Sequence, residues 1–309
     1  MKKISVILPT YNEVENIELI VKKIIDIILL ELKNYDYEII ITDNKSEDGT
    51  REKIKELCYE NKKVKAILNA RNFPAGSGRN AFKNVSGDLV ITLAADFQDP
   101  PEKIPDFVHE WETGSKIVLG VKTKSDTNFI MNLIRKMYYR FMKKISSVEQ
   151  FENTSTYALY DYTFIKVINN IKDRRMYLRG LVAELGYDIS TVGYVQKKRV
   201  KGHSSNNFFS LYDIAMRGIT SYSKAPLRIL TFLGVIIGII SFIVGIAYLI
   251  MKLVNWYSFD AGVAPIIIIV AFLGGIQLFS LGMIGEYIIA INERSMDRPM
   301  VIEEKRINF

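Results

Sequence analysis

Between Ile229 and Met251 the chain runs for 23 residues without a charge, and between Ala261 and Gly285 for another 25. At about 1.5 Å of rise per residue, each run makes a helix of roughly 35 Å, enough to cross a hydrocarbon core about 30 Å thick. Core helices of water-soluble proteins seldom stay uncharged for that long, so a membrane hairpin is expected and a pair of core helices is the rival. The joining segment KLVNWYSFDAG is short, and Trp256 and Tyr257 suit a membrane–water interface. Arg217, Lys224 and Arg228 precede the pair, Arg294, Arg298, Lys305 and Arg306 follow it, and the joining segment holds only Lys252. The positive-inside rule then predicts a multi-pass protein of the cytoplasmic (inner) membrane with both termini in the cytoplasm.

Upstream, FFSLYDIAMRGITSYSKAPLRI mixes aromatic and aliphatic residues with sparse charge, the pattern of an amphipathic helix lying in the interface. The expected organisation is a soluble domain over 1–205, an interfacial helix over 206–228, a hairpin over 229–291 and a cytoplasmic tail over 292–309. The two spans are expected at about 229–252 and 262–287. The start, MKKISVILPTYNE, is basic, but its apolar run stops at Pro9, too short for a signal peptide. A net charge of +7 suits an anionic partner, and membrane lipids and diphosphates account for it without nucleic acid. Cys58 is alone, which excludes an intrachain disulfide and a cysteine-rich metal site. His109 and His203 are too few and too far apart for a histidine metal centre.

In the first 205 residues, ISVIL (4–8) and EIIIT (38–42) are short β-branched runs, each ending in a polar loop. Between them Ile17, Ile20, Val21, Ile24 and Ile28 repeat at helical spacing. TREKIKELCYENK, VKAIL, a short helix and DLVITLAA continue the alternation, which predicts an α/β domain with a mostly parallel sheet. Ligands of such sheets bind beyond the carboxyl ends of the strands. There fall LPTYNE, TDNKSEDGT, ARNFPAGSGRN and AADFQDPP. Neither GxGxxG nor GxxxxGK[ST] occurs, which disfavours Rossmann dinucleotide and P-loop NTP binding.

PTYNE, the loop ending S-x-D-G-T, the RNF, the strand ending D-x-Q-D-P-P, the later LRGLVAELG and the helix pair together resemble family 2 glycosyltransferases. The likeness is to the polyprenyl-phosphate subgroup, which includes dolichyl-phosphate mannose synthase and bacterial undecaprenyl-phosphate glucosyltransferases. It covers nearly the whole chain. It implies a GT-A-like fold and inverting transfer of a sugar from a UDP- or GDP-linked donor to a polyprenyl phosphate, undecaprenyl phosphate in a bacterium. A homo-oligomer packing through Gly274, Gly275 and Gly282, and a flippase partner, belong to the same expectation.

By that resemblance Pro9, Tyr11 and Glu13 frame the nucleotide, Asp43 hydrogen-bonds the base, and Arg71 lies near the ribose or diphosphate, with a structural salt bridge as its rival. Asp96 is the second acid of a D-x-D motif and reaches Mg²⁺ or Mn²⁺ bridging the donor diphosphate, with Gln98 adding an amide oxygen. Asp99 and Asp48 read as turn-shaping residues. Phosphate-holding candidates are Arg199, Lys201 and Ser204 in RVKGHSS, which resembles an R-x-x-G-x-S loop, and Arg135 and Arg140, on a stretch that equally suits a lipid-facing helix. Arg179 reads as an ion-pair partner.

Two positions depart from the pattern. Ala94 stands where the first acid of D-x-D is expected, and Thr156 stands where relatives carry an acid. A hydroxyl acceptor would then lack a general base. A phosphate monoester, with its second pKa near 6, arrives already anionic and needs none. The alternatives are a transferase with a hydroxyl acceptor, or a catalytically weakened membrane scaffold that binds a nucleotide sugar or a partner transporter.

Overall fold

The computed structural model describes residues 1–74, 76–124, 137, 139–148, 151–173, 176–197, 208–254, 263–296 and 298–309. The soluble part begins with strand β1 (Lys2–Thr10), helix α1 (Ile17–Glu31), β2 (Tyr35–Asp43), α2 (Thr50–Glu60), β3 (Val64–Asn69), α3 (Ser77–Phe82) and β4 (Leu89–Thr92). It continues with α4 (Ile104–Glu112), β5 (Ile117–Lys124), β6 (Thr154–Asp161), α5 (Tyr162–Asn170), α6 (Leu178–Glu184) and β7 (Ile189–Val195). Then come α7 (Phe208–Tyr222), α8 (Ala225–Val254), α9 (Val263–Ser295) and a last strand, β8 (Glu303–Ile307).

The eight strands of the described residues form one sheet in the order β7-β5-β6-β4-β1-β2-β3-β8. The β4–β1–β2–β3 run is parallel, with Val6 opposite Ile39 and Ile40 opposite Lys65. Its strands are buried on both faces, which explains their unbroken Ile and Val content. The five apolar positions of α1 named above are all fully buried against this sheet. Strand β8 adds antiparallel to β3 and covers an edge that would otherwise present unpaired amides. The strands flanking the hairpin in sequence, β7 and β8, are therefore the two edges of the sheet. The tail expected over 292–309 thus ends as part of the soluble domain.

One carboxylate, Glu38, is buried in the middle of β2 with 1% of its surface exposed. It accepts hydrogen bonds from the Ser5 hydroxyl (2.6 Å) and the Ser86 amide (2.7 Å), and Lys65 Nζ lies 2.7 Å away. Burial alone would raise its pKa, but Lys65, Ser5 and Ser86 outweigh it and hold the pKa down to about 2 from an ordinary 4.5. A depressed carboxylate contributes stability above its unfolded pKa and loses it as pH falls through the folded one. This contribution, about 3 kcal/mol, is therefore complete above pH 4.5 and disappears towards pH 2. Glu38→Gln is expected to lower stability by about 2–4 kcal/mol at pH 7 and to flatten the acid limb of the unfolding curve. Denaturant melts at pH 7 and pH 3 check both effects.

Helices α8 and α9 each contain a stretch long and apolar enough to cross a membrane, Ala225–Ala247 and Phe272–Ser295, with none of either window buried inside the protein. Phe232, Ile239, Phe242, Phe272 and Phe279 are 56–70% exposed, so these helices are not packed inside the soluble core as the rival reading required. Helix α7 packs on the soluble domain. A Cβ on Gly180 would stand 2.3 Å from the ring of Tyr222, so only glycine lets α6 approach it. The Tyr222 hydroxyl donates to Glu184 Oε2 at 3.0 Å. Tyr287 of α9 donates to the Ser223 carbonyl (2.7 Å), and Arg294 meets Asp173 (3.2 Å) and the Ser221 hydroxyl (2.8 Å). The C-terminal part of α9 is thus bonded to the end of α7 and, through Asp173, to the soluble domain.

Candidate active site

The carboxyl ends of β1, β2, β3 and β4 lie side by side, and the amino-terminal end of the antiparallel β6 joins them. Four loops far apart in sequence are thereby gathered at one edge.

After β4 the chain turns sharply, with Phe97 at φ 58°, and presents Asp96 and Gln98. Asp96 is 4% exposed, and its Oδ1 accepts from the Gln98 amide at 3.1 Å. Asp99, 3% exposed, closes the turn by accepting from the Ala94 amide (3.3 Å) and the Tyr194 hydroxyl (2.6 Å). Burial pushes the Asp99 carboxyl up, against the pull of those two donors. Both of these bonds lie within the turn and its β7 neighbour, in line with a turn-shaping place. The Gln98 side chain reaches across to β7's exit, where its Oε1 accepts from Gln196 Nε2 at 3.0 Å.

Among the described residues no group of three or more His, Cys, Asp or Glu is arranged to hold a metal ion. Asp96 is one carboxylate, and Gln98 on the same turn carries a neutral amide oxygen, which accepts from Gln196 in this conformation. Mg²⁺ keeps several waters and is commonly held by one or two carboxylates plus substrate phosphates. This donor set fits a divalent cation as a bridge to an anionic ligand, and it is too sparse for a cation held by protein alone.

At the β2 end, Asp43 is completely buried. Its carboxylate accepts from the Lys45 amide (3.0 Å), the Ser46 amide and hydroxyl, and Arg51 Nε (2.7 Å). Four donors match the lone-pair sites of a carboxylate. Asp43 therefore organises its loop in this conformation, and a base N–H would share or displace one of those partners. Glu13 is also buried, accepting from Asn16 Nδ2 at 2.7 Å. Pro9 and Tyr11 are exposed at the same edge, Tyr11 by 43%. Arg71 is exposed, with its guanidinium 4.3 Å above the Phe73 ring. Asp48 accepts from the Thr50 and Val14 amides at 3.1 and 3.2 Å and fixes the turn into α2. Arg140 is exposed on a helical stretch, whereas Arg135, Arg199, Lys201 and Ser204 lie outside the described residues.

A cavity of about 350 Å³ opens beside this edge, reaching from Pro9, Thr92, Ala94 and Thr156 to Arg79, Arg179 and Arg217. The three arginines come from α3, α6 and α7. Arg79 is 9% exposed and donates to the carbonyls of Ile171 and Asp173. Those carbonyls satisfy N–H groups, burial pulls the Arg79 pKa down, and the Asp173 carboxylate offsets part of its charge. The Nε atoms of Arg79 and Arg217 are buried with no hydrogen-bond partner among the described residues. Buried cationic donors left this way cost free energy unless an anion meets them. Arg179 Nη1 donates to the Tyr139 hydroxyl at 3.3 Å. Sequence reading missed Arg51, Arg79 and Arg217 as site residues. Arg51 shares no local motif with Asp43, and α7 meets the cleft only through tertiary packing.

The family model for glycosyl transferase family 2 matches residues 5–186. The bactoprenol glucosyl transferase of Shigella phage SfV is 32% identical over 302 residues, covering 97% of this chain and 97% of its own length. The putative glycosyltransferase CsbB of Bacillus subtilis strain 168 is 34% identical over 308 residues, covering 98% and 92%. A glycosyltransferase of Synechocystis, sll0501, is 30% identical over 97% of this chain and 94% of its own. With its GT-A-like sheet, the D-x-Q-D-P-P turn at the strand edge and relatives along its full length, the chain belongs to glycosyl transferase family 2.

Proposed function

We propose that this chain moves a sugar from a UDP- or GDP-linked donor to a polyprenyl phosphate, in the manner of the bactoprenol glucosyl transferases it is similar to. One observation carries the reading: the cavity at this sheet edge is lined by three arginines, with Thr156 where relatives carry an acid that could serve as base and Ala94 where the first acid of D-x-D would stand. Such a pocket is built to receive an anion. Among the described residues that line it there is no carboxylate or histidine to take a proton from a hydroxyl.

An oxygen of the lipid phosphate attacks the anomeric carbon in line, forming the new C–O bond as the bond to the donor diphosphate breaks, and the anomeric centre inverts. The protein aligns two anions and offsets their repulsion. Arg217 comes from α7, directly before the membrane hairpin, so it meets a phosphate arriving at headgroup level. Arg79 and Arg179 face it from the soluble domain. Asp96, with Gln98 beside it, is the group that would hold Mg²⁺ or Mn²⁺, and the ion would supply positive charge to the departing diphosphate. The hairpin spans the inner membrane with both termini cytoplasmic, a topology supported by β8, which returns to the same sheet as β1. A homo-oligomer, a flippase partner and phosphate contacts from Arg135, Arg140, Arg199, Lys201 and Ser204 belong to the same reading.

Membranes carrying the chain, incubated with labelled UDP- or GDP-sugars and polyprenyl phosphate with and without Mn²⁺, should yield labelled lipid. Arg217→Gln is expected to raise the KM for the lipid phosphate about tenfold and to leave the donor KM unchanged. Donor binding without any lipid product would favour the scaffold alternative.

A further inference from the structure

We propose that the segment after the membrane hairpin, residues 298–309, is a positioning element of the nucleotide-binding loops and not merely an edge strand. The proposal rests on the reading that this sheet edge takes a nucleoside diphosphate.

The stretch from Asn69 to Asn80, which carries Arg71 and runs into α3, meets the tail at Ala70, Gly76 and Asn80. The Ala70 amide donates to the Ile302 carbonyl at 2.9 Å. Gly76 lies so close beneath Met300 and Val301 that a Cβ there would stand 2.9 Å from each, leaving no room for a side chain. Asn80 Nδ2 donates to Glu303 Oε1. The fourth stitch reaches the neighbouring loop. Arg51 Nη1 donates to Glu304 Oε2 at 2.9 Å, its Nε to Asp43 Oδ2 at 2.7 Å, and its Nη2 to the Asn69 carbonyl.

Arg51 thus ties three chain segments together: the end of β2, the end of β3 and the tail. A guanidinium suits this work because its fork presents several donors in a fixed plane. Its side chain is 14% exposed, so the bonds form partly out of water. Glu304 is 55% exposed and holds the outer arm of the fork. Only the stretch from Met296 to Ile302 separates the end of α9 from β8. The two loops that would grip the donor are therefore set from the membrane side as well as from within the sheet. Arg51 and Glu304 are positioning residues, acting on the ligand through Asp43 and the Asn69–Asn80 loop.

The test uses the full-length purified chain and measures UDP and GDP binding by calorimetry, alongside KM for donor and for lipid phosphate. Glu304→Arg places a cation against Arg51 on an exposed position that the fold tolerates. It is expected to weaken nucleotide binding and raise the donor KM about tenfold, with kcat and the lipid KM within about twofold. Arg51→Gln should do the same, Glu304→Asp should restore most of the affinity, and Lys305→Ala on the same strand should change nothing. Wild-type affinity in both Glu304→Arg and Arg51→Gln would sink the proposal while leaving the donor reading intact. Equal losses in kcat, donor KM and lipid KM would also sink it, since they would mark a general loss of fold. A wild-type chain that binds neither UDP nor GDP would remove the donor reading and this proposal together.

Discussion

Asp96→Asn is expected to lower kcat by roughly 10²–10³-fold, with a thermal melt close to wild type. The carboxylate is 4% exposed on a turn held by other groups: Asp99 bonds the Ala94 amide and Tyr194, and Gln98 bonds Gln196. Asparagine retains an oxygen to accept from the Gln98 amide, so the turn keeps its shape. What disappears is the carboxylate that, on the proposed reading, would hold the divalent cation. With Ala94 offering no second acid, nothing on this turn replaces it. Turnover of labelled donor, read beside circular-dichroism melts of both proteins, separates the chemical loss from a folding defect. A variant within about threefold of wild type would show that the departing diphosphate is stabilised without Asp96.

The second large effect is in acid. If the lipid phosphate is its own nucleophile, kcat/KM for that acceptor should be level near neutral pH and fall about tenfold per unit below pH 6, where the phosphate takes up its second proton. The sign follows from the charge. The dianion attacks, so protonation removes the reactive form and weakens its hold on Arg79, Arg179 and Arg217. Replacing Thr156 by Val should leave that profile in place, with rates within about threefold. A limb that moves when Thr156 is replaced would assign the proton to a protein group. Stopped assays between pH 4.5 and 8, with the donor saturating, read this directly.

Much of this molecule is legible in its sequence for reasons that are local. Ile17, Ile20, Val21, Ile24 and Ile28 mark the buried face of α1, and the unbroken Ile and Val runs mark strands covered on both faces. The two uncharged stretches announce α8 and α9 by length alone. The loop motifs place Asp96 and Gln98 at the sheet edge because a parallel strand ends where its hydrophobic run ends. What was not legible is what tertiary contact decides. Nothing near Glu303 or Glu304 says that the tail will pair with β3, because a short charged strand such as EEKRI has no hydrophobic pattern to read. Arg79 and Arg217 are far apart in sequence and unremarkable by composition, and only the packing of α7 on α6 across Gly180 brings them to one cavity. The sequence also presented Asp43 as a group open to a base, whereas Arg51 and Ser46 already occupy it.

The most direct measurement pairs two acceptors that differ in one group: polyprenyl phosphate and the matching polyprenol, each given to the purified chain with the same labelled nucleotide sugar. A cleft lined by three arginines, with no carboxylate or histidine among its described lining residues, should glycosylate the phosphate and leave the alcohol untouched at any pH between 6 and 8. Sugar transferred to the alcohol at a comparable rate would mean that some side chain removes a proton after all, and the account given for Ala94, Thr156 and the three arginines would be wrong.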